Sequence, residues 1–352
     1  MPVMKILKNF PVKKFRRALL AWYQREKRVM PWRNTKDPYK IWVSEIMLQQ
    51  TQVKTVIPYY KKWIAAFPDV RALASAPPGK VLKCWEGLGY YRRAGMLHRA
   101  AKSVVKDLDC KIPARAALLK ELPGIGRYTA GAIASIAFDE KVPVVDGNVV
   151  RILTRLFALR RSIELPAAIS ALWDLAGALL EERAPGDFNQ AMMELGATVC
   201  SPQNPECGRC PARTFCKAHR LKREMFFPVR TRKENYESVT MHALVLSLPD
   251  GRVLLQRQLA GYWWTGLWTF PFFNSFREMA GICGEKGVRP LGKLCHSVTR
   301  YRIELRVWTK NSSRKNLLHV AGSRWVPLKN LKKTALPAPH RKIANLLLEA
   351  RK

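Results

Sequence analysis

The chain has 352 residues, 48% of them hydrophobic, with 62 lysines and arginines against 26 aspartates and glutamates. This length predicts two domains with sizeable cores, and the net charge of +36 predicts a polyanionic partner. Nucleic acid is the leading candidate. An anionic membrane surface is the competitor, but no apolar stretch is long enough to span a bilayer, which excludes the membrane-spanning class.

The N-terminal segment is basic but lacks the apolar core and cleavage site of a secretory signal. Basicity alone leaves a transit peptide open, yet the pattern from Phe15 to Tyr23 predicts a folded amphipathic helix. The eight cysteines are not spread like a secreted disulfide framework, because four of them lie close together. We therefore expect a cytoplasmic protein in a reducing, bacterial setting, associated with the nucleoid through DNA.

From Phe15 to about Ala218, apolar residues recur at helical spacing between short breaks. The breaks are marked by proline and glycine, at Pro31, Pro58, Pro68, Pro77, Pro113, Pro123, Pro143, Pro166 and Pro185. Each interval between them predicts one helix. The cysteines are followed by a basic, poorly periodic stretch, which predicts a linker over residues 219–237.

Beyond the linker the period changes to that of strands. Residues 240–247 and 252–257 flank a Pro-Asp-Gly turn at 249–251, which predicts a hairpin. Further strands are predicted at 267–272, 301–309 and 323–326, and a closing helix at about 340–350. The sequence thus predicts a mainly α domain over 1–218 and an α+β domain over 238–352.

Residues 121–133 read as a helix end, a tight Leu-Pro-Gly-Ile-Gly turn and a second, alanine-rich helix. The N–H groups at the start of the second helix have no partner within it, so Gly124 and Gly126 predict a phosphate site. An ordinary helical hairpin fits this stretch equally well when it is taken alone. Asp146 follows just beyond, where its carboxylate could face the same DNA backbone.

Glu45 lies between Trp42, Ile46 and Met47 on an apolar helix face. Burial there would raise its pKa and suit a general acid, whereas a solvated glutamate is the usual alternative. The polar run 49–52 then ends the helix with groups able to hydrogen-bond to bases. Glycosidic cleavage needs one group that protonates the leaving base and another that stabilises sugar cation charge. Glu45 and Asp146 are candidates for this pair.

Residues 87–93 place two tyrosines beside two arginines after a glycine turn. Tyrosine can wedge or stack at bases while arginine binds phosphate. A buried tyrosine pair in the core is the equally weighted alternative.

The clustered cysteines are Cys200, Cys207, Cys210 and Cys216. Four thiolates within seventeen residues suit a metal site, and spacing alone favours zinc and a [4Fe–4S] cluster about equally. The loop is basic, which predicts a structural role beside phosphate. Removal of the metal should unfold it.

Together these stretches resemble the helix-hairpin-helix DNA glycosylase superfamily, most closely the MutY adenine glycosylases. The matching segments run in family order from about residue 12 to 218, at 31–33, 44–51, 87–91, 122–126, 145–149, 188–196 and the four cysteines. The resemblance implies a [4Fe–4S] cluster on Cys200, Cys207, Cys210 and Cys216.

The resemblance also implies roles for site residues. Glu45 would protonate adenine and assist the attacking water, and Asp146 would stabilise the sugar cation. Further residues would support the flipped base and its sugar or contact DNA at the lesion pair, namely Asn148, Tyr128, Glu194, Arg33, Leu48, Gln50, Thr51 and Tyr90. Base flipping is required because the chemistry cannot be done inside a stacked duplex.

Tyr128 occupies the position where relatives that also nick DNA, such as endonuclease III, carry a Schiff-base lysine. Tyrosine cannot form an imine, so we expect a monofunctional enzyme with at most weak strand cleavage.

The C-terminal part is similar to the Nudix-like domain that reads 8-oxoguanine opposite adenine, without a glutamate-rich catalytic helix. Family members often carry Phe-Ser-His where this chain has Val298, Thr299 and Arg300. Thr299 keeps a hydroxyl and Arg300 can donate hydrogen bonds, but the aromatic wedge is lost.

The resemblance thus implies a monomeric, monofunctional adenine DNA glycosylase of base excision repair. Its substrate would be double-stranded DNA with adenine opposite 8-oxoguanine or guanine. A thymine:guanine mismatch glycosylase is the enzymatic alternative, although those relatives resemble only the helical part. A non-catalytic iron–sulfur DNA-binding protein is the alternative from another class, against which the presence of Glu45 and Asp146 argues.

Overall fold

The computed structural model describes residues 3–231, 235–259, 263–312 and 322–349. Contacts divide the chain into two compact units: Met1–Ile64, Asp69–Arg71 and Arg99–Lys233 form the first, and Ala65–Pro68, Ala72–His98 and Glu234–Lys352 form the second. Residues 232–234 of the predicted linker and Ala350 of the predicted last helix lie outside the described residues. The domain boundaries proposed from the sequence remain predictions.

The first unit is helical, and the second combines helices with a sheet, as the sequence predicts. In chain order the helices are α1 Val3–Leu7, α2 Val12–Glu26, α3 Pro38–Leu48, α4 Val53–Ala66, α5 Val70–Ser75, α6 Pro78–Trp85, α7 Arg92–Asp107, α8 Ala116–Leu119, α9 Arg127–Phe138, α10 Gly147–Phe157, α11 Pro166–Leu179, α12 Pro185–Thr198, α13 Lys217–Arg220, α14 Phe276–Cys283 and α15 Ala338–Glu349. No helix in the described part of the chain is long and apolar enough to cross a membrane.

Several breaks predicted from proline are helix starts, because proline is tolerated in the first turn. Pro78, Pro166 and Pro185 begin α6, α11 and α12. Pro58 is different, because it lies inside α4 and does not end it. Proline within a helix costs roughly 3 kcal/mol, and burial of Val56, Tyr60 and Trp63 on α4 offsets that cost.

The helical unit is organised around α12, which packs against α2, α9 and α10. Phe15 and Phe188 are fully or almost fully buried at the α2–α12 contact, with ring centroids 6.3 Å apart. Helix α3 packs against α9, and these two helices carry Glu45 and Tyr128, which line a cavity of this unit. The helix pairs therefore set the walls of the candidate site.

Between α8 and α9 lies the predicted hairpin. Leu122 and Ile125 are buried and anchor the turn, while Gly124 has φ +80°, a conformation that favours glycine. Gly126 is the N-cap of α9 and is exposed, as is Gly124. The turn therefore presents backbone N–H groups to solvent at the start of a helix.

The second unit contains one sheet, with strands β1 Glu237–Ser247, β2 Arg252–Arg257, β3 Trp268–Thr269, β4 Phe272–Phe273, β5 Arg289–Val298, β6 Tyr301–Asn311 and β7 Ser323–Pro327. The strand order is β3-β2-β1-β6-β5, with β4 on β1 and β7 on β2. Strands β1 and β6 are parallel, while the other pairs are antiparallel.

Two elements of this unit were missed by the sequence pattern. Strand β5 is an edge strand with little burial, and its proline and glycine disfavour a strand assignment. Helix α14 is short and capped by Ser275. The predicted strand at 267–272 is divided into β3 and β4, because Phe270 and Pro271 separate two short pairings.

Candidate active site

A cavity of about 520 Å³ opens in the helical unit between α3, α9, α10 and α12. It brings together residues far apart in the chain, all of them predicted from the sequence: Arg33, Glu45, Leu48, Thr51, Tyr128, Asp146, Asn148 and Glu194. A second opening of about 550 Å³ shares Leu48, Thr51, Tyr128 and Asp146, and it adds Gln50. The two openings form one cleft over the candidate acid and its partners.

Glu45 lies on α3 with only 5% of its surface exposed. Tyr128 Oη on α9 donates a hydrogen bond to Glu45 Oε2 at 2.7 Å. Burial raises the pKa of Glu45 to about 7, an effect that Asp146 reinforces and that the Tyr128 bond and Arg33 oppose. A carboxyl with this pKa is part-protonated near neutral pH, so it can deliver a proton.

Asp146 is the N-cap of α10, where a carboxylate is stabilised by the first N–H groups of the helix. The Val149 N–H donates to Oδ1 at 2.7 Å, and Asn148 Nδ2 donates to Oδ2 at 2.8 Å. Burial raises the pKa of Asp146, and these hydrogen bonds oppose the rise. The cap therefore fixes the direction of the carboxylate and supports its ionised form.

Glu194 on α12 is 1% exposed and accepts hydrogen bonds from two arginines. Arg28 donates from Nε at 2.6 Å and from Nη2 at 2.9 Å, and Arg33 donates from Nη2 at 2.6 Å. Burial opposes ionisation, but the arginines outweigh it and lower the pKa of Glu194 to about 2. Glu194 is thus a permanently charged acceptor, unlike Glu45 in the same cavity.

Arg151 links the site to the cysteine loop. Its Nη2 donates to Asn148 Oδ1 at 2.8 Å and to the Gly196 carbonyl at 2.7 Å, and its Nε donates to the Cys200 carbonyl at 2.7 Å. Gly196 is a point of close approach, because a Cβ there would lie 2.5 Å from Asn148 Cβ. Helix α12 can pass this close to α10 only where the side chain is absent.

A separate, small cavity in this unit is lined by the four clustered cysteines together with Arg155, His219 and Glu224. Burial raises the pKa of Cys207 to about 11 and that of Cys210 to about 12. Neutral thiols are therefore favoured unless a cation compensates their charge, as a bound metal centre would. Arg155 Nη1 lies 3.3 Å from Cys200 Sγ, and Glu224 Oε1 accepts from Cys207 Sγ at 3.6 Å.

The remaining predicted residues lie in the second unit. Tyr90 is 45% exposed with φ +48°, at the turn before α7, and the Arg93 guanidinium lies 5.4 Å from its ring centroid. Val298 pairs with Tyr301 across the β5–β6 hairpin, and Thr299 and Arg300 form its exposed tip. The side chain of Val298 packs against the sheet core, so it is not placed as an exposed wedge.

Sequence reasoning missed Arg28 as a partner of Glu194, and it missed Arg151 and Arg155. Arg28 and Arg155 pair with residues more than forty positions away, so no local pattern marks them. In a chain with 62 lysines and arginines, charge alone distinguishes none of them. Arg151 is different, because it also bonds to Asn148, three residues before it in the segment that contains Asp146.

The fold and the site define a class of protein. A model of the HhH-GPD superfamily of base excision DNA repair proteins matches residues 43–175, and a NUDIX domain model matches residues 242–346. A thermostable thymine-DNA glycosylase superposes with a TM-score of 0.55 at 29% identity, covering 60% of this chain and 97% of that one. An endonuclease III–DNA complex superposes at 0.51 over 60% of this chain and 98% of that one, and at 18% identity it shows the fold alone.

One adenine DNA glycosylase is aligned over more of the chain than either structure. That of Buchnera aphidicola from Schizaphis graminum is 31% identical over 341 residues, which are 94% of this chain and 98% of the relative. The chain belongs to the adenine DNA glycosylase family. The rat enzyme is 51% identical over 214 residues, which are 58% of this chain and 42% of the relative. The chain thus covers less than half the length of this mammalian relative.

Proposed function

We propose that the protein is a monofunctional adenine DNA glycosylase of base excision repair, acting as a monomer on double-stranded DNA. It hydrolyses the N-glycosidic bond of adenine paired with 8-oxoguanine or guanine. The observation that carries this proposal is the pair Glu45 and Asp146, two carboxyls in one cavity held in different environments. Membership of the adenine DNA glycosylase family supports the choice of base.

In this mechanism Glu45 acts first as the acid. Its raised pKa keeps a proton available near neutral pH, and that proton passes to the adenine ring as the glycosidic bond breaks. The ionised Glu45 then accepts a proton from the attacking water. Tyr128 holds the carboxyl through its 2.7 Å hydrogen bond and so sets the direction of transfer.

Asp146 stabilises the positive charge that develops on the sugar. Its carboxylate is fixed by the Val149 N–H and by Asn148, so little reorganisation is needed when the charge appears. Glu194, with Arg33, offers an anion and donors at the far wall of the cavity for the flipped base. Leu48, Gln50 and Thr51 line the mouth through which the base would enter.

The DNA backbone and the lesion pair are contacted elsewhere. The N–H groups at Gly124 and Gly126 bind phosphate at the start of α9, and exposed Tyr90 wedges at the lesion pair.

The mispair is read by Thr299 and Arg300 at the hairpin tip. Thr299 Oγ1 donates to the Val298 carbonyl at 2.7 Å, which leaves its oxygen lone pairs as acceptors. 8-Oxoguanine presents N7–H as a donor where guanine has an N7 acceptor. Thr299 therefore favours the oxidised base.

Cys200, Cys207, Cys210 and Cys216 would hold a [4Fe–4S] cluster. The four thiols line one small cavity, where burial disfavours the charged form of Cys207 and Cys210 unless a cation is bound beside them. Membership of the adenine DNA glycosylase family supports the cluster, whose contribution would be to order the basic loop around it.

Thymine excision from thymine:guanine pairs is the second candidate, because a thymine-DNA glycosylase is among the similar structures. The match of that structure covers 60% of this chain, whereas the Buchnera relative is aligned over 94%. The longer alignment favours adenine.

Single-turnover base release tests the proposal. Three duplexes carry adenine opposite 8-oxoguanine, adenine opposite guanine, and thymine opposite guanine. We expect adenine release, fastest opposite 8-oxoguanine, that is lost in Glu45→Gln. Glu182→Gln is the matched control, because Glu182 is exposed and paired only with Lys141 at the surface. Thymine release, or no release from any duplex, would refute the proposal.

Borohydride trapping tests the absence of strand-nicking chemistry. Tyr128 cannot form an imine with the sugar, so the purified protein should yield no covalent adduct under conditions that trap endonuclease III. A trapped adduct would show that another amine acts as a nucleophile.

A further inference from the structure

Trp263 is an exposed aromatic residue held in a fixed position in the second unit. Trp263 is 37% exposed, and its ring centroid lies 5.1 Å from that of Tyr301. The next residue, Trp264, is buried and makes edge contacts with Phe272 at 5.5 Å and His340 at 5.1 Å. The buried tryptophan thus anchors the segment that carries the exposed one.

The ring of Tyr301 connects Trp263 to the hairpin tip. Tyr301 is the residue paired with Val298, and it packs against the sheet core on its inner side. The Arg300 guanidinium lies 5.1 Å from the Tyr301 ring centroid and donates to Tyr301 Oη at 3.0 Å. An exposed indole, a phenol and a guanidinium are therefore contiguous beside Thr299.

The opposite face of the same hairpin has a similar pairing. The Arg302 guanidinium lies 4.1 Å from the ring centroid of Tyr236 and donates to Ser297 Oγ at 2.7 Å. Arg300 and Arg302 are both exposed and flank the tip. The positive charge of these two arginines suits a phosphate group and would repel another basic protein surface. The hairpin and its aromatic neighbours therefore favour a nucleic acid as the bound partner.

We propose that the indole of Trp263, supported by Tyr301, is the surface on which the purine opposite the excised adenine stacks. The inference rests on the proposed function, in which flipping the adenine leaves that purine without a partner. Val298 cannot supply the stacking surface, because it packs inward. Tyr236 is exposed as well, but the Arg302 guanidinium lies over its ring at 4.1 Å, whereas the Trp263 ring contacts the hairpin strand through Tyr301.

The test compares protein with and without the Trp263 indole, on duplexes with and without a purine opposite the adenine. Trp263→Leu and Trp263→Phe are made in a Glu45→Gln background, so that binding is measured without excision. The duplexes carry adenine opposite 8-oxoguanine, guanine or a base-free tetrahydrofuran. We expect Trp263→Leu to weaken binding to both purine duplexes about tenfold, the size of one stacking contact, and to leave the base-free duplex unchanged. The affinity of Trp263→Phe for the purine duplexes should be closer to that of the Glu45→Gln protein.

Trp268→Leu is the matched control, because Trp268 is a half-buried tryptophan of the same unit with the Arg324 guanidinium 3.9 Å from its ring centroid. Its effect should not depend on the base opposite adenine. If Trp263→Leu weakens binding equally on all three duplexes, the indole has a structural role. If binding is not weakened on any duplex, the exposed indole serves another purpose, such as contact with a protein. Either result overturns the proposal. Adenine release by the wild-type protein, measured in parallel, shows separately whether the proposed function holds.

Discussion

Two buried glutamates line the same cavity, yet their pKa values move in opposite directions. Burial raises that of Glu45 to about 7, and the hydrogen bond from the neutral Tyr128 hydroxyl opposes this rise only in part. Burial also disfavours the charge of Glu194, but the Arg28 and Arg33 guanidinium groups lower its pKa to about 2. One residue type therefore serves as a proton donor and as a fixed anion, according to its partners.

The raised pKa of Glu45 has a cost in stability. The folded state binds this proton more tightly than the unfolded state, so Glu45 lowers the free energy of unfolding as pH rises from 4.5 through about 7. Glu45→Gln should therefore be more stable than wild type by roughly 2–3 kcal/mol at pH 8, with the difference shrinking at pH 5. Urea-unfolding midpoints at the two pH values measure this. A variant that gains nothing at pH 8 would contradict the raised pKa.

Tyr128 tunes the same proton. Its hydrogen bond lowers the pKa of Glu45, so Tyr128→Phe should raise that pKa further. Because Glu45 must be protonated to act, the pH above which adenine release slows should move upward in the variant. Single-turnover pH profiles of the variant and the wild type give the midpoints. An unchanged midpoint would mean that this hydrogen bond is absent in the complex with DNA.

The carboxyls of the site could be found from sequence because each lies in a short, distinctive segment. Glu45 stands among apolar helix residues, and Asp146 stands before a helix whose N-terminus it caps. Arg28 could not be found in this way, since it meets Glu194 from 166 positions away. The pairing depends on how α2 and α12 pack, which periodicity does not specify.

At the scale of elements, Arg155 is the second buried arginine of α10, after Arg151, that bonds to the cysteine loop. Arg155 is 2% exposed and donates to the carbonyls of Ser201 at 2.7 Å, Pro202 at 3.0 Å and Glu224 at 2.9 Å. The carbonyls of Ser201 and Pro202 belong to irregular backbone, whereas that of Glu224 begins a 3-10 turn and also accepts from the Phe227 N–H at 3.3 Å. The arginine thus supplies the hydrogen bonds that secondary structure would otherwise provide.

Arg155→Met should leave the Ser201 and Pro202 carbonyls without this donor and destabilise the loop by roughly 2–4 kcal/mol. We expect faster hydrogen exchange over residues 200–227 and lower iron and sulfide content per chain. Arg155→Lys keeps the charge but reaches fewer acceptors. Its exchange rates and iron content should lie between those of Arg155→Met and the wild type. Unchanged exchange in Arg155→Met would show that the loop is held by its metal centre alone.

Helices and strands were predicted correctly where the hydrophobic period and the capping residues agree. Prediction failed where tertiary packing or strand pairing decides the structure. Pro58 is a helix breaker by rule, but α4 continues through it because three large side chains are buried around it. Strand β5 escaped prediction because its first five residues are all exposed, and burial alternates only over residues 293–298. Its position comes from pairing with β6.

At the scale of the whole molecule, the charge of +36 far exceeds what solubility requires. If the cations bind phosphates, each contact releases counterions and makes affinity depend on salt. With six to ten contacts, affinity for duplex DNA should fall by roughly 10³ to 10⁵ between about 50 and 200 mM salt. Titrations of mispaired and fully paired duplexes should give similar slopes. A flat response would contradict a DNA-facing role for the basic surface.

The approach of α12 to α10 at Gly196 makes a residue with no functional group as sensitive as a catalytic one. A single methyl group there would displace Asn148 and, through it, Asp146. We expect Gly196→Ala to reduce adenine release at least tenfold, whereas Gly95→Ala, with open space around its Cβ, should be neutral. Wild-type rates in Gly196→Ala would show that the helices can separate. Under the proposed function, inherited variation at position 196 would impair adenine excision although no chemical group has been lost.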